Sequence, residues 1–478
     1  MVVEESSALL SSPRSPGYVA ENYIWFSAVC IAFNALSLGY DVGCMNGAIP
    51  LIATEFSLTD SQQEAIDGCL SVFAALGALY GAYLADAIGR RGCLVASAAS
   101  YFLGCVLATI AFSWEVILIA RASMGLGVGL SFCSGGLYLS EISPPHLRGT
   151  LVSMYDGFIN LGIVLGSLVG YFAATSEVEI LGSSWRFMMS FSAPFPGIVL
   201  CCSPFLPESP RWLIAKGRND EARETLSRLL ISPSIVETAM REFKTTEHTQ
   251  TAATWGELFK ELRNDTHGLR RNLALCIALG FLQQASGAEA LLYYCNNFLR
   301  EAGMGSTSSL ALGFVLVGAA KLLGNIAPMV YSDKYGRLPF IYVSSIGMVL
   351  VLLALTILTY IGTYGSAEVV LMCLFLFFFS IGTGTLLWVI IPELLPFRWR
   401  GRAFGAVVFV NRATSSAVTL SALNIIKAAQ VFGFFTLYLI LSFASAVLSF
   451  TLLPETAGKS LDELTTPKNH AGCATMPV

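Results

Sequence analysis

The chain alternates long apolar stretches with short segments that hold most of its charged residues. A bilayer core needs roughly 20 apolar residues for each helical span, and soluble α/β enzymes do not bury a dozen runs of that length. The pattern therefore predicts an all-α membrane protein with twelve transmembrane helices, which we number spans 1 to 12. The spans cover residues 24–47, 66–86, 93–113, 115–138, 150–173, 187–206, 272–296, 310–331, 338–361, 367–391, 403–424 and 430–453.

A hydrophilic segment with mixed charges at helical spacing separates span 6 from span 7. We expect this segment to form short cytoplasmic helices that link two six-helix halves. The expected organisation is a cytoplasmic N-terminal segment (1–22), an N-terminal half (23–206), a linker with short helices (207–271), a C-terminal half (272–453) and a cytoplasmic tail (454–478).

Composition agrees with a membrane location, and the distribution of charge sets the orientation. Of the 478 residues, 55% are hydrophobic and 13% are charged, whereas soluble domains carry about 25% charged residues. Lysines and arginines gather in the loops after even-numbered spans, so the positive-inside rule places these loops and both termini in the cytoplasm. The loops after odd-numbered spans carry mainly acids, namely Glu55, Asp60, Glu64, Asp67, Glu177 and Glu179.

The sequence contains no pattern typical of an enzyme. The 12 cysteines lie mostly inside apolar spans without CxxC spacing, so we expect them to pack as small hydrophobic residues. A glycine run at 125–129 lies inside an apolar span with no preceding strand, which favours close helix packing over nucleotide binding. With only four histidines and no P-loop or nucleophile constellation, we expect no enzymatic activity, no cofactor, no metal and no nucleic-acid partner.

A charged phrase occurs in both halves and indicates that one half-molecule was duplicated. GAYLADAIGRR at 81–91 returns as DKYGRLP at 333–339, and EISPPHLRG at 141–149 returns as ELLPFRWRG at 393–401. Matching halves of this kind are typical of transporters that bind their substrate near the membrane midplane.

The arginines of these phrases can reach carboxylates or helix C-termini on a neighbouring helix. We interpret each phrase as a cytoplasmic latch that holds one conformational state; the alternative is that the arginines only set topology. We expect the second latch to be weaker, because Leu338 stands where the first copy has Arg91. The expected latch residues are Asp86, Arg90, Arg91, Glu141, Arg148, Asp333, Arg337, Glu393 and Arg400.

Eight segments, taken in order, resemble the sugar porters of the major facilitator superfamily over nearly the whole chain. Lys321, QQASG, GFINLGIVLG at 157–166 and VNR at 410–412 resemble the polyol/monosaccharide–proton symporter branch. The resemblance implies the major facilitator fold and sugar transport, although Gly136 and Thr385 stand where the family has proline. The eight segments are GYDVGCMNGA (39–48), GAYLADAIGRR (81–91), YLSEISPPHLRG (138–149), PESPRW (207–212), QQASGAEALLYY (283–294), DKYGRLP (333–339), PELLPFRWRG (392–401) and PETAGKS (454–460).

Two charged residues inside apolar spans are candidates for proton coupling. Asp41 lies late in span 1 and Arg121 lies in span 4. An ionisable group at bilayer depth is costly, and a carboxylate near an arginine can take and release a proton as the pair opens and closes. The resemblance implies that Asp41 accepts the proton and that Arg121 modulates it. The alternative is a static ion pair that pins two helices.

A second polar group is implied by the resemblance to contact the sugar. Carboxylates and amides suit a polyhydroxylated ligand, and aromatic side chains add flat surfaces with polar tips. We expect Lys321 to neutralise one of the acids; the alternative is an acid–lysine network with no ligand contact. The expected substrate-binding residues are Asp156, Gln283, Gln284, Glu289, Tyr293, Tyr294, Lys321, Trp388 and Asn411.

The sequence thus predicts a monomeric secondary active transporter that moves a monosaccharide or polyol with a proton across a lipid bilayer by alternating access. An uncoupled facilitator, a non-transporting sugar sensor and a solute channel are the alternatives. The short tail argues against a sensor, and the latch motifs argue against a channel. We expect the plasma membrane, while an acidic dileucine pattern at 5–10 keeps a vacuolar or endosomal membrane open.

Overall fold

The computed structural model describes residues 20–144, 147–175, 180, 182–230, 232–247, 255–265, 269–301, 303, 305–362 and 365–456. Over these residues the chain is almost entirely α-helical. The dileucine pattern at 5–10 and the tail from residue 457 lie outside the described residues.

Long apolar helices form both halves, and short amphipathic helices form the linker. The N-terminal half contains Glu21–Phe56 (α1), Asp60–Thr109 (α2), Trp114–Ile142 (α3), Arg148–Thr175 (α4), Ser184–Ser190 (α5) and Pro194–Cys202 (α6). The linker contains Pro210–Ala215 (α7), Asn219–Leu229 (α8), Pro233–Glu247 (α9) and Trp255–Asn264 (α10). The C-terminal half contains Leu269–Gln284 (α11), Ala288–Tyr293 (α12), Cys295–Glu301 (α13), Thr307–Tyr335 (α14), Leu338–Ile361 (α15), Ser366–Ile381 (α16), Leu387–Leu394 (α17) and Phe397–Leu452 (α18).

These helices confirm the twelve predicted spans. Ten helical segments of the described chain are long and apolar enough to cross a membrane. One of them, α2, supplies two spans, because its 50 residues amount to about 75 Å of helix, a bilayer core is about 30 Å thick, and non-helical backbone at Gly89 divides it in two. The remaining span is formed by the shorter apolar helix α16 together with α17.

The duplicated phrase produces the same backbone turn in both halves. Gly89 separates spans 2 and 3 with φ 90° and ψ 169°, and Gly336 separates spans 8 and 9 with φ 91° and ψ 169°. A positive φ of this size is accessible to glycine but costly for residues that carry a Cβ atom. The glycine of each GR dipeptide is therefore required for the turn from one span to the next.

Two spans of the C-terminal half are interrupted within the bilayer depth. Span 7 breaks between α11 and α12, where Gly287 has φ 83° and packs against the ring of Tyr438. Span 10 breaks at residues 382–386, between α16 and α17. Non-helical backbone at membrane depth is tolerated where it is buried in protein or lines a cavity. Residues next to both breaks line a cavity between the halves, namely Gln284 and Ala288 in span 7 and Gly384 in span 10.

The two halves meet along two helix pairs, α2 with α18 and α4 with α14. Small residues permit a close approach, since a methyl group at Gly405 of α18 would lie 2.5 Å from the Cβ atom of Ala82 on α2. Apolar side chains cover the outside, as in Tyr360 and Phe443, which are 77% and 60% exposed. The polar side chains considered below lie on the inner surfaces.

The acidic loop after span 1 is shorter than the sequence pattern suggested. Only residues 57–59 separate α1 from α2. The helix starts early because Thr59 and Gln62 form a capping box, in which each side chain bonds the backbone of the other. Glu64 and Asp67, which we had assigned to the loop, therefore lie on α2, and Asp67 is buried with 8% exposure.

Candidate functional site

The two charged residues predicted inside the spans meet in the N-terminal half. Nη1 of Arg121 lies 2.6 Å from both carboxylate oxygens of Asp41, and each side chain is 1% exposed. Nε of Arg121 donates to the carbonyl oxygen of Ile66 on α2 at 3.1 Å. The arginine thus joins α1, α2 and α3 through one buried guanidinium.

A cavity of about 60 Å³ lies between the halves. Seven of the nine expected substrate residues line it. Tyr294 instead donates its hydroxyl to the carbonyl oxygen of Thr419 at 2.9 Å, and Asn411 lies behind the cavity wall. The expected residues that line the cavity are Asp156, Gln283, Gln284, Glu289, Tyr293, Lys321 and Trp388.

Gln283 and Gln284 form one wall of the cavity, and amide hydrogen bonds hold their side chains in place. Nε2 of Gln283 donates to the carbonyl oxygens of Thr383 and Gly384 at 3.0 and 2.8 Å. Nδ2 of Asn411 donates to Oε1 of Gln283 at 2.8 Å, and its Oδ1 accepts from Nε2 of Gln284 at 3.2 Å. Asn411 therefore orients both glutamines without reaching the cavity itself.

Glu289 forms an ion pair with Arg412, a residue that we had not assigned to the site. Nη1 of Arg412 lies 3.0 Å from Oε1 of Glu289, and both residues line the cavity. Ser415 donates a hydrogen bond to the other carboxylate oxygen, and the guanidinium lies 4.8 Å from the ring centre of Phe132. The only sequence signal for Arg412 was its place in VNR at 410–412.

Asp156 accepts hydrogen bonds from neutral side chains of the opposite half. Its Oδ2 lies 2.6 Å from Oγ1 of Thr385 and 2.9 Å from Nδ2 of Asn325. Thr385 stands where the related family has proline. This departure was the sequence feature that set Thr385 apart, and its hydroxyl group makes the contact with Asp156.

Lys321 does not pair directly with an acid among the described residues. Its Nζ donates to Oδ1 of Asn160 at 2.7 Å, and Nδ2 of Asn160 donates to Oδ2 of Asp156 at 3.3 Å. The expectation that Lys321 neutralises an acid stays a prediction: a buried asparagine links it to Asp156, and the acid with a direct cationic partner is Glu289. Asn160 was visible only as part of GFINLGIVLG at 157–166 and was not assigned to the site.

The first latch is a network around Arg90. Its Nε and Nη2 lie 3.0 and 3.1 Å from the two carboxylate oxygens of Glu141, and its Nη1 lies 3.1 Å from Asp86. Two parallel bonds to one carboxylate are the strong form of an arginine–acid pair.

The second latch uses fewer atoms of its arginine. Nη2 of Arg337 lies 2.9 Å from Oε1 of Glu393 and 3.4 Å from Oδ1 of Asp333. Nε of Arg337 and Oε2 of Glu393 are buried and have no hydrogen-bond partner in the described part of the chain.

Each glycine turn is capped by a glutamate that we had read only as part of a family motif. Oε1 of Glu208 accepts from the backbone N–H groups of Arg90, Arg91 and Ser209 at 2.8, 3.2 and 2.9 Å. Burial raises the pKa of the Glu208 carboxyl, while these three donors favour its charged form and oppose the rise. The cap places a negative charge at the N-terminus of span 3, where the helix dipole stabilises it.

The second half repeats this cap. Glu455 accepts from the backbone N–H groups of Arg337, Leu338 and Thr456 at distances between 2.9 and 3.1 Å. Leu338 and its counterpart Arg91 therefore both contribute a backbone N–H group to the cap.

The aspartates of the latches also reach across to the other half. Oδ2 of Asp86 lies 3.4 Å from Nε of Arg402 at the start of α18. Oδ2 of Asp333 accepts from the backbone N–H of Thr150, at the start of α4, at 3.0 Å. Each carboxylate thus lies near the N-terminus of a helix of the opposite half, which its charge favours.

Three expected latch residues differ from those above. Nη1 of Arg91 donates to the carbonyl oxygen of Leu206 at 3.4 Å. Arg148 forms no ion pair with the described residues, and its Nε has no hydrogen-bond partner there. Arg400 donates to the carbonyl oxygen of Leu395 at 3.1 and 3.2 Å.

Contacts between the halves close the cavity on the side away from the latches. Nδ2 of Asn46 on α1 donates to the carbonyl oxygen of Leu292 at 3.0 Å. Nδ2 of Asn296 donates to the carbonyl oxygen of Asn46 at 2.9 Å. Together with the latches, these bonds enclose the cavity from both membrane faces.

The model of a family described as "sugar (and other) transporter" matches residues 27–467. "Probable polyol transporter 4" of Arabidopsis thaliana is 35% identical over 454 residues, which cover 92% of this chain and 84% of that protein. "Putative polyol transporter 1" of the same plant is 30% identical, over 97% and 94%. "Glucose transporter GlcP" of Staphylococcus epidermidis is 30% identical, over 93% and 97%.

Solved structures support the fold. The proton:xylose symporter XylE bound to 6-bromo-6-deoxy-D-glucose superposes with a TM-score of 0.81 at 24% identity, over 93% of this chain and 98% of that one. The inward open conformation of XylE from E. coli superposes with a TM-score of 0.71 at 24% identity, over 92% and 99%. At this level of identity the likeness establishes the architecture alone.

Proposed function

The chain belongs to the sugar (and other) transporter family of the major facilitator superfamily, and from that premise we propose that it moves a polyol or monosaccharide together with a proton by alternating access. The observation that carries the proposal is the cavity between the halves. It is lined by amide, carboxylate and cationic groups and adjoins the breaks of spans 7 and 10.

The polarity of the cavity supports a ligand that is rich in hydroxyl groups. Gln283 and Gln284 offer amide donors and acceptors, and Asp156 and Glu289 offer carboxylate acceptors. Trp388 adds an apolar face that suits the carbon skeleton of a sugar or polyol. Relatives named as polyol transporters favour a polyol within this class.

Rocking of one half against the other would expose the cavity to each side in turn. The latches lie at one end of the cavity and the Asn46 contacts lie at the other, so breaking one set opens one side. A bound ligand adds contacts to both halves and lowers the cost of passing through the enclosed state.

The buried Asp41–Arg121 pair supports coupling to a proton. When Asp41 binds a proton it becomes neutral, the attraction to Arg121 falls and α1 is freed to move relative to α3. The competing function is an uncoupled facilitator, in which the same pair is a permanent structural contact. Its complete burial and short distance of 2.6 Å are compatible with that alternative.

Uptake assays distinguish these two functions. The chain would be expressed in a host that lacks sugar transport and assayed between acidic and neutral pH with D-sorbitol, myo-inositol, D-xylose and D-glucose. We expect accumulation of at least one polyol, faster at acidic pH and accompanied by proton entry. If none of the four compounds is transported, the proposed substrate class is contradicted.

The isosteric variant Asp41→Asn separates a symporter from a facilitator. A symporter with this change loses accumulation against a gradient but still exchanges labelled for unlabelled substrate. A facilitator keeps the wild-type uptake curve and shows no proton entry. The exposed variant Asp60→Asn on α2 serves as the control, because its side chain is 77% exposed.

We place the protein in the plasma membrane as part of this proposal. Replacement of both leucines of the dileucine pattern, Leu9→Ala and Leu10→Ala, tests the alternative location. A fluorescently tagged chain that is already at the cell surface, and is unchanged by the double substitution, supports the proposal. A shift from internal membranes to the surface contradicts it.

A further inference from the structure

A second carboxylate is buried beside the Asp41–Arg121 pair and has no role in the mechanism above. Asp67 is 8% exposed, and its Oδ1 has no hydrogen-bond partner among the described residues. Nη2 of Arg121 is also buried without a partner in the same part of the chain. One atom of each of two oppositely charged side chains is therefore left without a hydrogen-bond partner in the described part of the N-terminal half.

The backbone keeps these two groups together. Nε of Arg121 donates to the carbonyl oxygen of Ile66, the residue directly before Asp67. One turn further along α2, Ser71 lines the cavity. Residues four apart lie on one face of a helix, so Asp67 shares the face of α2 that reaches the substrate cavity one turn further on.

Asp67 is surrounded by other groups that could act on its charge. Arg121 and Asp41 interact with it electrostatically from α3 and α1. Tyr293 and Tyr294, at the end of span 7, also interact electrostatically with Asp67, and Glu64 lies one turn away on the same helix. Arg121 is the one cation in this set, and it faces two carboxyl groups.

The charge balance shows why a second acid matters. An isolated aspartate–arginine pair is neutral without a proton, and protonation of its acid leaves a buried guanidinium unpaired, which is costly. With two carboxylates and one guanidinium, the proton-free set has a net charge of −1 and the singly protonated set is neutral. A buried set of charges favours the neutral composition, so the second acid strengthens proton binding.

We propose that Asp41, Asp67 and Arg121 together form a binding site for one proton, in which Asp67 is the positioning partner that keeps Arg121 paired when Asp41 is protonated. The proton comes from water on one side of the membrane, forms an O–H bond with one carboxylate and returns to water on the other side. While Asp41 holds the proton, Nη2 of Arg121 pairs with Asp67. The inference rests on the proposed proton coupling and names the group that makes it effective.

Infrared spectroscopy of the purified protein tests the site without any substrate. The carbonyl stretch of protonated carboxyl groups is followed during a pH titration of the wild type, Asp67→Asn, Asp41→Asn and the double variant. Each single variant leaves a neutral acid–arginine pair, so we expect its titration midpoint to fall by about one pH unit or more, a tenfold loss of proton affinity. The double variant should lose this band.

Controls separate this inference from the proposed function. Asp67→Glu should keep a band that titrates as in the wild type, and so should Asp60→Asn. If Asp67→Asn titrates with the same midpoint as the wild type, the inference is overturned. Proton entry during uptake by the wild-type protein would still support the symporter in that case. The reverse result, a shifted midpoint but no proton entry during uptake, supports the three-group site and contradicts coupling.

Discussion

The two latches occupy equivalent positions in the two halves but differ in how each arginine is used. The turns at Gly89 and Gly336 have the same backbone angles to within one degree. Yet Arg90 bonds acids through three nitrogens, whereas Arg337 uses one, and the Nε of Arg337 is unsatisfied among the described residues.

The difference shows which parts of a duplicated motif are constrained. The backbone turn and its glutamate cap are retained, because a positive φ and exposed N–H groups at a helix start leave few alternatives. The side-chain pairs are free to diverge, because an arginine can meet a carboxylate through one or two bonds. We therefore expect the first latch to be the stronger one because of its side-chain bonds, since Leu338 and Arg91 contribute the same backbone N–H group to the caps.

The largest contrast should come from replacing each latch arginine by lysine. Lysine keeps the charge but offers one nitrogen, so Arg90→Lys loses two charge-assisted hydrogen bonds of about 1.5–3 kcal/mol each. We expect its initial uptake rate to fall at least about tenfold, since tenfold corresponds to about 1.4 kcal/mol. Arg337→Lys, which keeps a single donor nitrogen as in the wild type, should keep uptake within about threefold of wild type by the same conversion.

Surface expression of the two lysine variants should be equal, which a western blot of the membrane fraction checks. Equal losses of uptake at the two positions would contradict the inequality of the latches.

A smaller contrast should appear at the glycines that face each aspartate from the opposite half. A methyl group at Gly149 would overlap the carboxylate of Asp333, whereas one at Gly401 would lie 3.3 Å from Asp86. Overpacking costs about 1–3 kcal/mol, so Gly149→Ala should open the contact between α4 and α14 while Gly401→Ala leaves its contact nearly intact.

Hydrogen–deuterium exchange of the purified protein measures this opening. We expect peptides around 147–152 and 333–338 to exchange about tenfold faster in Gly149→Ala, as a cost of about 1.4 kcal/mol implies. Gly401→Ala should resemble the wild type. Faster exchange in Gly401→Ala than in Gly149→Ala would contradict the geometry described above.

The smallest effects, and equal ones, should come from the caps. Glu208→Gln and Glu455→Gln each replace a carboxylate that accepts three backbone N–H bonds by an amide that has one acceptor oxygen. A helix cap contributes about 1 kcal/mol, so we expect both variants to lower the apparent Tm by about 2 °C. A large difference between them, with Glu208→Asp and Glu455→Asp as controls, would show that the caps have diverged as well.

Some of the polar contacts could be predicted from the sequence, and others could not. Asp41 and Arg121 could be paired in advance, because each was a lone charge in an apolar span and a buried charge requires a partner. Arg412 was visible only as part of a family motif, and Thr385 only as a departure from one. Asp67 was counted with the loop acids although it lies at the start of predicted span 2 (66–86), because hydropathy does not reveal the capping box that starts α2 at Asp60.

What the sequence by itself determined is the number of spans, the duplication and the set of charges that the bilayer must accommodate; the orientation of the spans stays a prediction. These properties follow from local composition, since a bilayer selects apolar runs and positive loops without reference to other spans. The tertiary structure decided which groups meet: Glu289 with Arg412, Asp156 with Thr385, and Asp67 beside Arg121. Helices that are apolar on all sides carry no stripe to show which face turns inward, so only their packing fixes these partners.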